Sequence, residues 1–243
     1  MRIVDAEWEK RNLGIDVTEI TCFEKDSAAQ LSDILRTVET PYSVLKIPSG
    51  CINLLLVAQK EGYSFIETDF ELWGDLYRVS TPEYYKRFEK HIRMEEASGK
   101  ILERVLNEIQ TGTIFETDRI ALDPHFSKRI AGERYYNWTQ DILSNDAFMG
   151  VLYYKDTPVA FNLSKPAKDR DDAYDGVLGG LLPEASEKGL GFLVVYGENQ
   201  ICKLNGRRYC IGRVSSNNMP ILRLHLQFGY EVKSIVYVLI KHQ

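Results

Sequence analysis

The chain has 243 residues, 44% hydrophobic and 27% charged, which is the balance of a folded protein with room for one large or two modest cores. Its 30 Lys and Arg against 35 Asp and Glu give a net charge of -5, so the basic excess used to bind a phosphate backbone is missing and nucleic acid is not an expected partner. No apolar leader core opens the chain, and its longest apolar runs, 54–58 and 235–240, fall far short of the about 20 residues that span a bilayer, so a cytoplasmic chain without membrane contact is expected.

In chain order, residues 14–22, with β-branched Ile15, Val17, Thr18 and Ile20, predict a strand, and 27–37, apolar at Ala28, Leu31, Ile34 and Leu35, predict a helix. A strand over 42–47, a helix from Ser49 through Lys60 closed by Gly62, and a strand over 63–72 complete an amino-terminal α/β half assigned to residues 1–79. Residues 80–111 are rich in charge and carry Ile101, Val105 and Ile109 at helical spacing, which predicts a helical bridge with a solvated face. From 112 to 243 the reading is a strand over 113–122, a helix over 126–143, a hairpin over 148–163 turning at Lys155-Asp156-Thr157-Pro158, and a strand over 173–182. A helix over 191–204, a strand over 208–214, a helix over 218–228 and a strand over 231–241 follow. The four cysteines, at 22, 51, 202 and 210, form no CxxC pair and do not cluster with the histidines, so reduced, buried thiols are expected, with no metal.

Two segments carry chemistry. In Gly179-Gly180-Leu181-Leu182-Pro183-Glu184-Ala185-Ser186-Glu187-Lys188-Gly189-Leu190-Gly191 a strand feeds a loop that opens a helix, so backbone N–H groups and the positive helix end converge where a pyrophosphate would fit. Gly189 and Gly191 permit close backbone approach, although the same pattern also makes an ordinary tight turn. In the second segment Asn218 caps a helix whose inward face holds Ile221, Leu224, His225 and Phe228, and Gly229-Tyr230 ends it.

Together these two segments resemble the acetyl-CoA-binding core of the GNAT acyltransferases. The resemblance implies an α/β fold with a mixed central sheet flanked by helices, acetyl-CoA as cosubstrate without a metal, and a catalytic domain over 112–243. It implies that Leu181 and Leu182 pair with the pantetheine arm, that Lys188, Gly189, Leu190, Gly191 and Phe192 cradle the pyrophosphate, and that Asn218 opens the following helix. Ser186 stands where the family often has Gln or Arg, and His225 stands where it commonly has the Tyr that protonates the departing thiolate. The segment Glu7–Gly14, the 42–47 strand and Lys60-Glu61-Gly62-Tyr63-Ser64-Phe65 are similar to the truncated half of amino-sugar N-acetyltransferases related to TDP-fucosamine acetyltransferase.

The expected activity is N-acetyl transfer to a primary amine, an amino sugar on a nucleotide being one candidate. Peptide N-acetylation and non-catalytic acyl-CoA binding on a degenerate fold are the alternatives. Acetyl-CoA and a small amine are the expected partners, with a homodimer left open. His225 is the expected general acid and Glu184 a weak candidate base, beside Asp175, His125 and a water relay.

Overall fold

Residues 1–185 and 188–243 are described by a computed structural model, and their backbone alternates strand and helix almost throughout. The elements are β1 (Arg2–Asp5), α1 (Glu7–Leu13), β2 (Val17–Thr21), α2 (Ala28–Thr37), β3 (Tyr42–Pro48), α3 (Ile52–Lys60), β4 (Ser64–Asp75), α4 (Glu83–Glu89), β5 (Ile92–Glu96) and α5 (Gly99–Gln110). They continue as α6 (Arg119–Leu122), α7 (Lys128–Leu143), β6 (Phe148–Tyr154), β7 (Thr157–Pro166), β8 (Ala173–Leu181), α8 (Leu193–Leu204), β9 (Tyr209–Ser215), α9 (Met219–Phe228) and β10 (Glu231–His242). No described helix is long and apolar enough to cross a membrane.

All described strands join one mixed sheet in the order β1-β2-β3-β10-β4-β9-β8-β7-β6-β5. Successive side chains of a strand point to opposite faces, so each inner strand feeds two cores. Leu45 and Ile47 of β3 pack with α2 and α3, whereas Tyr42 and Val44 pack with Ile120 of α6 and Ala131 of α7. One face thus carries α2, α3, α8 and α9, and the other carries α1, α5, α6 and α7.

The centre of the sheet is an exchange. β4 ends the amino-terminal half and β10 ends the carboxy-terminal half. They pair antiparallel with each other, and each also pairs with the penultimate strand of the opposite half, β4 with β9 and β10 with β3. Neither half closes its own sheet.

Most predicted elements stand within a residue or three of their expected ends, and three expectations are corrected. Residues 113–122 are not a strand: Asp118 Oδ1 accepts from Ala121 N at 2.9 Å and caps the short α6, whose Ile120 is fully buried. Segment 80–111 is not helical throughout, because Ile92-Arg93-Met94-Glu95-Glu96 alternates apolar with polar and forms edge strand β5 along β6. Strand β1 and helix α1, unexpected from the sequence, precede β2; Ala6 leads into α1 and Glu9 is buried against α6 and α7.

The exchange predicts that residues 112–243 expressed alone expose unpaired edges on β9 and β10 and aggregate, while co-expression with 1–111 restores solubility. A cooperative thermal transition of the isolated fragment, with parental secondary structure by circular dichroism, would show that β4 is dispensable.

Candidate active site

Parallel strands β8 and β9 pair only from Ala173↔Tyr209 to Gly176↔Gly212. Beyond that rung β8 runs on to Leu181 along β7, and β9 runs on to Ser215 along β4, so the two strands part. A bulge helps to steer β8 away, since Leu163 faces Leu178 and Ser164 faces Gly176, leaving Val177 as the extra residue. The parted edges leave backbone groups of residues 177–181 without a strand partner on the β9 side.

Two joined cavities fill the wedge. A cavity of about 470 Å³ is lined by Gly179 to Pro183, by Gly191, Val194, Asn218 and Leu224 toward α8 and α9, and by Glu108, Phe115 and Tyr135 toward α5 and α7. The second, about 280 Å³, reaches through the sheet to the α7 side and is lined by Glu67, Asp69, Arg119, Arg134, Glu198, Arg213 and His225 among others. Phe115, Thr117, Tyr135, Gly179, Val194, Asn218 and Ile221 border both.

Gly176 and Gly212, the last rung before the parting, are where side chains from α8 and α9 meet. A Cβ on Gly176 would sit 2.6 Å from Glu198 Oε1, and one on Gly212 would sit 3.3 Å from His225 Nε2. Their absence seats a buried pair in which His225 Nε2 lies 3.1 Å from Glu198 Oε2 and His225 Nδ1 lies 2.9 Å from Ile221 O. A carbonyl only accepts, so Nδ1 carries a proton. Nε2 then needs a second proton to meet an ionised carboxylate, which makes the pair an imidazolium and a carboxylate. Burial, the largest cause, pulls the His225 pKa down. The charge and hydrogen bond of Glu198 and the bond to Ile221 outweigh it, and the net shift is upward. Tyr230 packs edge-on against the imidazole at 4.8 Å, and its hydroxyl donates to Asn199 Oδ1 at 2.7 Å.

The opposite side of the wedge is charged. Glu9, 1% exposed, accepts from Arg119 Nη2 at 2.5 Å and from Arg134 Nε and Nη2 at 2.8 Å, and Arg134 Nη1 also donates to Asp118 at 3.2 Å. Burial alone would raise the Glu9 pKa, but the two guanidiniums hold it below the usual carboxylate range. Glu67 and Asp69 alternate along β4 and share its α7-side face. Burial raises both, against a hydrogen bond from Ser215 for Glu67 and against the charges of Arg213 and Lys46 for Asp69.

Of the residues singled out from sequence, Leu181, Leu182, Gly191 and Asn218 line the larger cavity and His225 the smaller one, whereas Lys188, Gly189, Leu190 and Phe192 border neither. Phe192 is fully buried and stacks on Tyr85 at 4.3 Å, so its side chain serves the core. Gly189 adopts φ +66°, which a side chain would strain. Asn218 Oδ1 accepts from Ile221 N at 3.3 Å, the cap read from sequence. Ser186 lies outside the described residues. Glu184 borders neither cavity and is ion-paired with Arg104, which holds its carboxyl low and makes it a poor proton acceptor. Asp175 sits on β8 before the parting, outside both linings.

His125 and His242 converge elsewhere, on the buried Asp123, at 3.0 and 2.7 Å. Asp123 also accepts from His125 N, and the two imidazoles stack at 3.9 Å, apart from both cavities of the wedge. Sequence reading missed Glu67, Asp69, Glu9 and Glu198. The alternation of carboxylates at Glu67, Asp69 and Glu71 along one strand was the available signal for the first two.

No family model matches the sequence, and no curated protein is similar to it in sequence. Solved structures are similar in fold. A GCN5-related N-acetyltransferase from Kribbella flavida superposes with a TM-score of 0.61 at 15% identity, over 93% of this chain and 81% of that one. A functionally unknown conserved protein from Staphylococcus epidermidis gives 0.62 at 13% identity, over 94% and 84%. A tandem GNAT protein from the clavulanic acid biosynthesis pathway gives 0.53 at 10% identity, over 88% and 68%. The expected GNAT fold, a mixed sheet flanked by helices, is the fold observed.

The buried ion pair makes stability depend on pH. A histidine whose folded pKa is raised contributes fully below its unfolded value near 6.5 and loses that contribution as pH rises through the folded value. The stability difference between the parent and the double variant Glu198→Gln/His225→Gln is expected to shrink from pH 6 to pH 9 in urea titrations. A difference constant across that range would contradict the ion pair.

Proposed function

We propose that the chain transfers an acetyl group from acetyl-CoA to a small primary amine. The observation that carries this reading is the wedge between β8 and β9. An extended pantetheine arm can pair with the open backbone of residues 177–181, and the turn containing Gly189 and Gly191 brings the start of α8 beside it, favouring an anionic pyrophosphate. The GNAT fold of the structural neighbours supports the same reading.

Acetyl-CoA supplies the acetyl group as a thioester, and this chain's residues supply position and proton transfer. The two cavities share lining residues at the parting, so donor and acceptor can be held side by side there, where proximity alone can lower a barrier by about 7–11 kcal/mol. Asp69, beside Ser215 of β9, is the nearer of the two raised carboxylates and takes the proton from the acceptor ammonium. The freed amine forms the N–C bond and releases its surplus N–H proton to water. The C–S bond breaks with its electron pair passing to sulfur, and the proton for sulfur comes from the site of the Glu198–His225 pair. Both ring nitrogens of His225 already have acceptors, so the imidazole does not act alone.

Coenzyme A at about 100 times its Kd is expected to stabilise the parent by about 2.7 kcal/mol in a melting scan. The shift is expected to diminish in Gly191→Val, whose side chain would enter the larger cavity. An equal shift in both proteins would remove the cofactor assignment.

Asp69→Asn is expected to lower kcat about 10²–10⁴-fold in a thiol-release assay, with coenzyme A affinity unchanged. Turnover of Asp69→Asn at the parental rate would move the base elsewhere. Coenzyme A binding without thiol release from any amine would favour a non-catalytic acyl-CoA-binding protein.

A further inference from the structure

Every cationic group lining the smaller cavity already meets a carboxylate. Arg119 and Arg134 meet Glu9, Arg134 also meets Asp118, Arg213 meets Glu71 at 3.0 Å, and His225 meets Glu198. Glu67 and Asp69 remain. Among the described residues neither forms an ion pair, Glu67 is 7% exposed, and both border the cavity. Two residues apart on one strand face, they stand about 7 Å from each other.

Resting on the acetyl-transfer reading, we propose that the acceptor is a small amine with two positive charges, a diamine or polyamine. Asp69 takes the reacting ammonium and Glu67 holds the second. A singly charged amine would leave one of the two without a cation, and burial then favours its neutral form, which holds a charged amine poorly. Phe115, Tyr135 and Trp138 in the lining supply apolar surface for the methylenes between the charges and aromatic faces for the cations. Phosphate-bearing acceptors fit poorly, because binding a phosphate calls for a cation that is not already neutralised and each arginine here is taken. This turns the reading away from the nucleotide-linked amino sugar that the sequence resemblance implies.

Two measurements test the proposal. In thiol-release assays, 1,4-diaminobutane and spermidine are expected to exceed n-butylamine and a uridine-diphosphate amino sugar at least tenfold in kcat/KM. Glu67→Gln is expected to bring the diamine-to-monoamine ratio toward one. Equal use of butylamine, or preference for the nucleotide sugar, would overturn the proposal. Calorimetric titration of 1,4-diaminobutane, with and without coenzyme A, reads the same site without turnover. Binding is expected in the parent and at least tenfold weaker in Glu67→Gln. Absence of diamine binding by a protein that binds coenzyme A overturns the diamine proposal alone, whereas absence of coenzyme A binding overturns the acetyl-transfer reading.

Discussion

The antiparallel pairing of β4 with β10 is the constraint on which the rest of the structure depends. β4 separates β9 from β10 and holds β9 along its whole length, from Asp69↔Ser215 to Asp75↔Tyr209. With β9 held on that side and β8 held by β7 on the other, the sheet can open only between them. The bulge at Val177 and the glycine rung at Gly176 and Gly212 place the opening. The amino-terminal half offers no such opening, because β2 and β3 stay paired from Val17↔Tyr42 to Thr21↔Lys46 and no glycine lies in the connection between β2 and α2. The two halves resemble each other in layout, yet only one parts its parallel strands.

The same strand crossing carries charge into the site. β4 belongs to the amino-terminal half, and it delivers Glu67 and Asp69 to a cavity built mostly by the other half. Helix α1 acts in parallel, since Glu9 neutralises Arg119 and Arg134 from across the molecule. Removing one member of such a buried network strands the others, so the cavity walls and the packing of the two halves are one system. On the α8 side the Glu198–His225 pair closes the apex of the wedge, with two glycines providing its room. The arginines of the cavity are spoken for, whereas among the described residues Glu67 and Asp69 of β4 form no ion pair.

Local signals made the carboxy-terminal half legible. The hairpin turn at Lys155-Asp156, where both residues take positive φ, the strand into Gly179-Gly180, Gly189-x-Gly191, and the Asn218 cap all depend on neighbouring residues, and each stands where the periodicity put it. What stayed hidden depends on residues far apart in sequence. The β4–β10 exchange joins positions about 170 apart by pairing pattern alone. Glu198 reads as the one carboxylate of its helix, beside polar Asn199 and Gln200, and only the fold brings it to His225, 27 residues on. The strand expected over 113–122 failed because β-branched residues there outweighed a single capping Asp118 in the reading.

The central claim, that the wedge between β8 and β9 is the cofactor site, is tested most directly by hydrogen–deuterium exchange with and without coenzyme A. The account predicts slowed exchange in peptides covering 177–182 and 188–196, with residues 1–48 unchanged. Protection confined to the amino-terminal half, or none along 177–182, would contradict it.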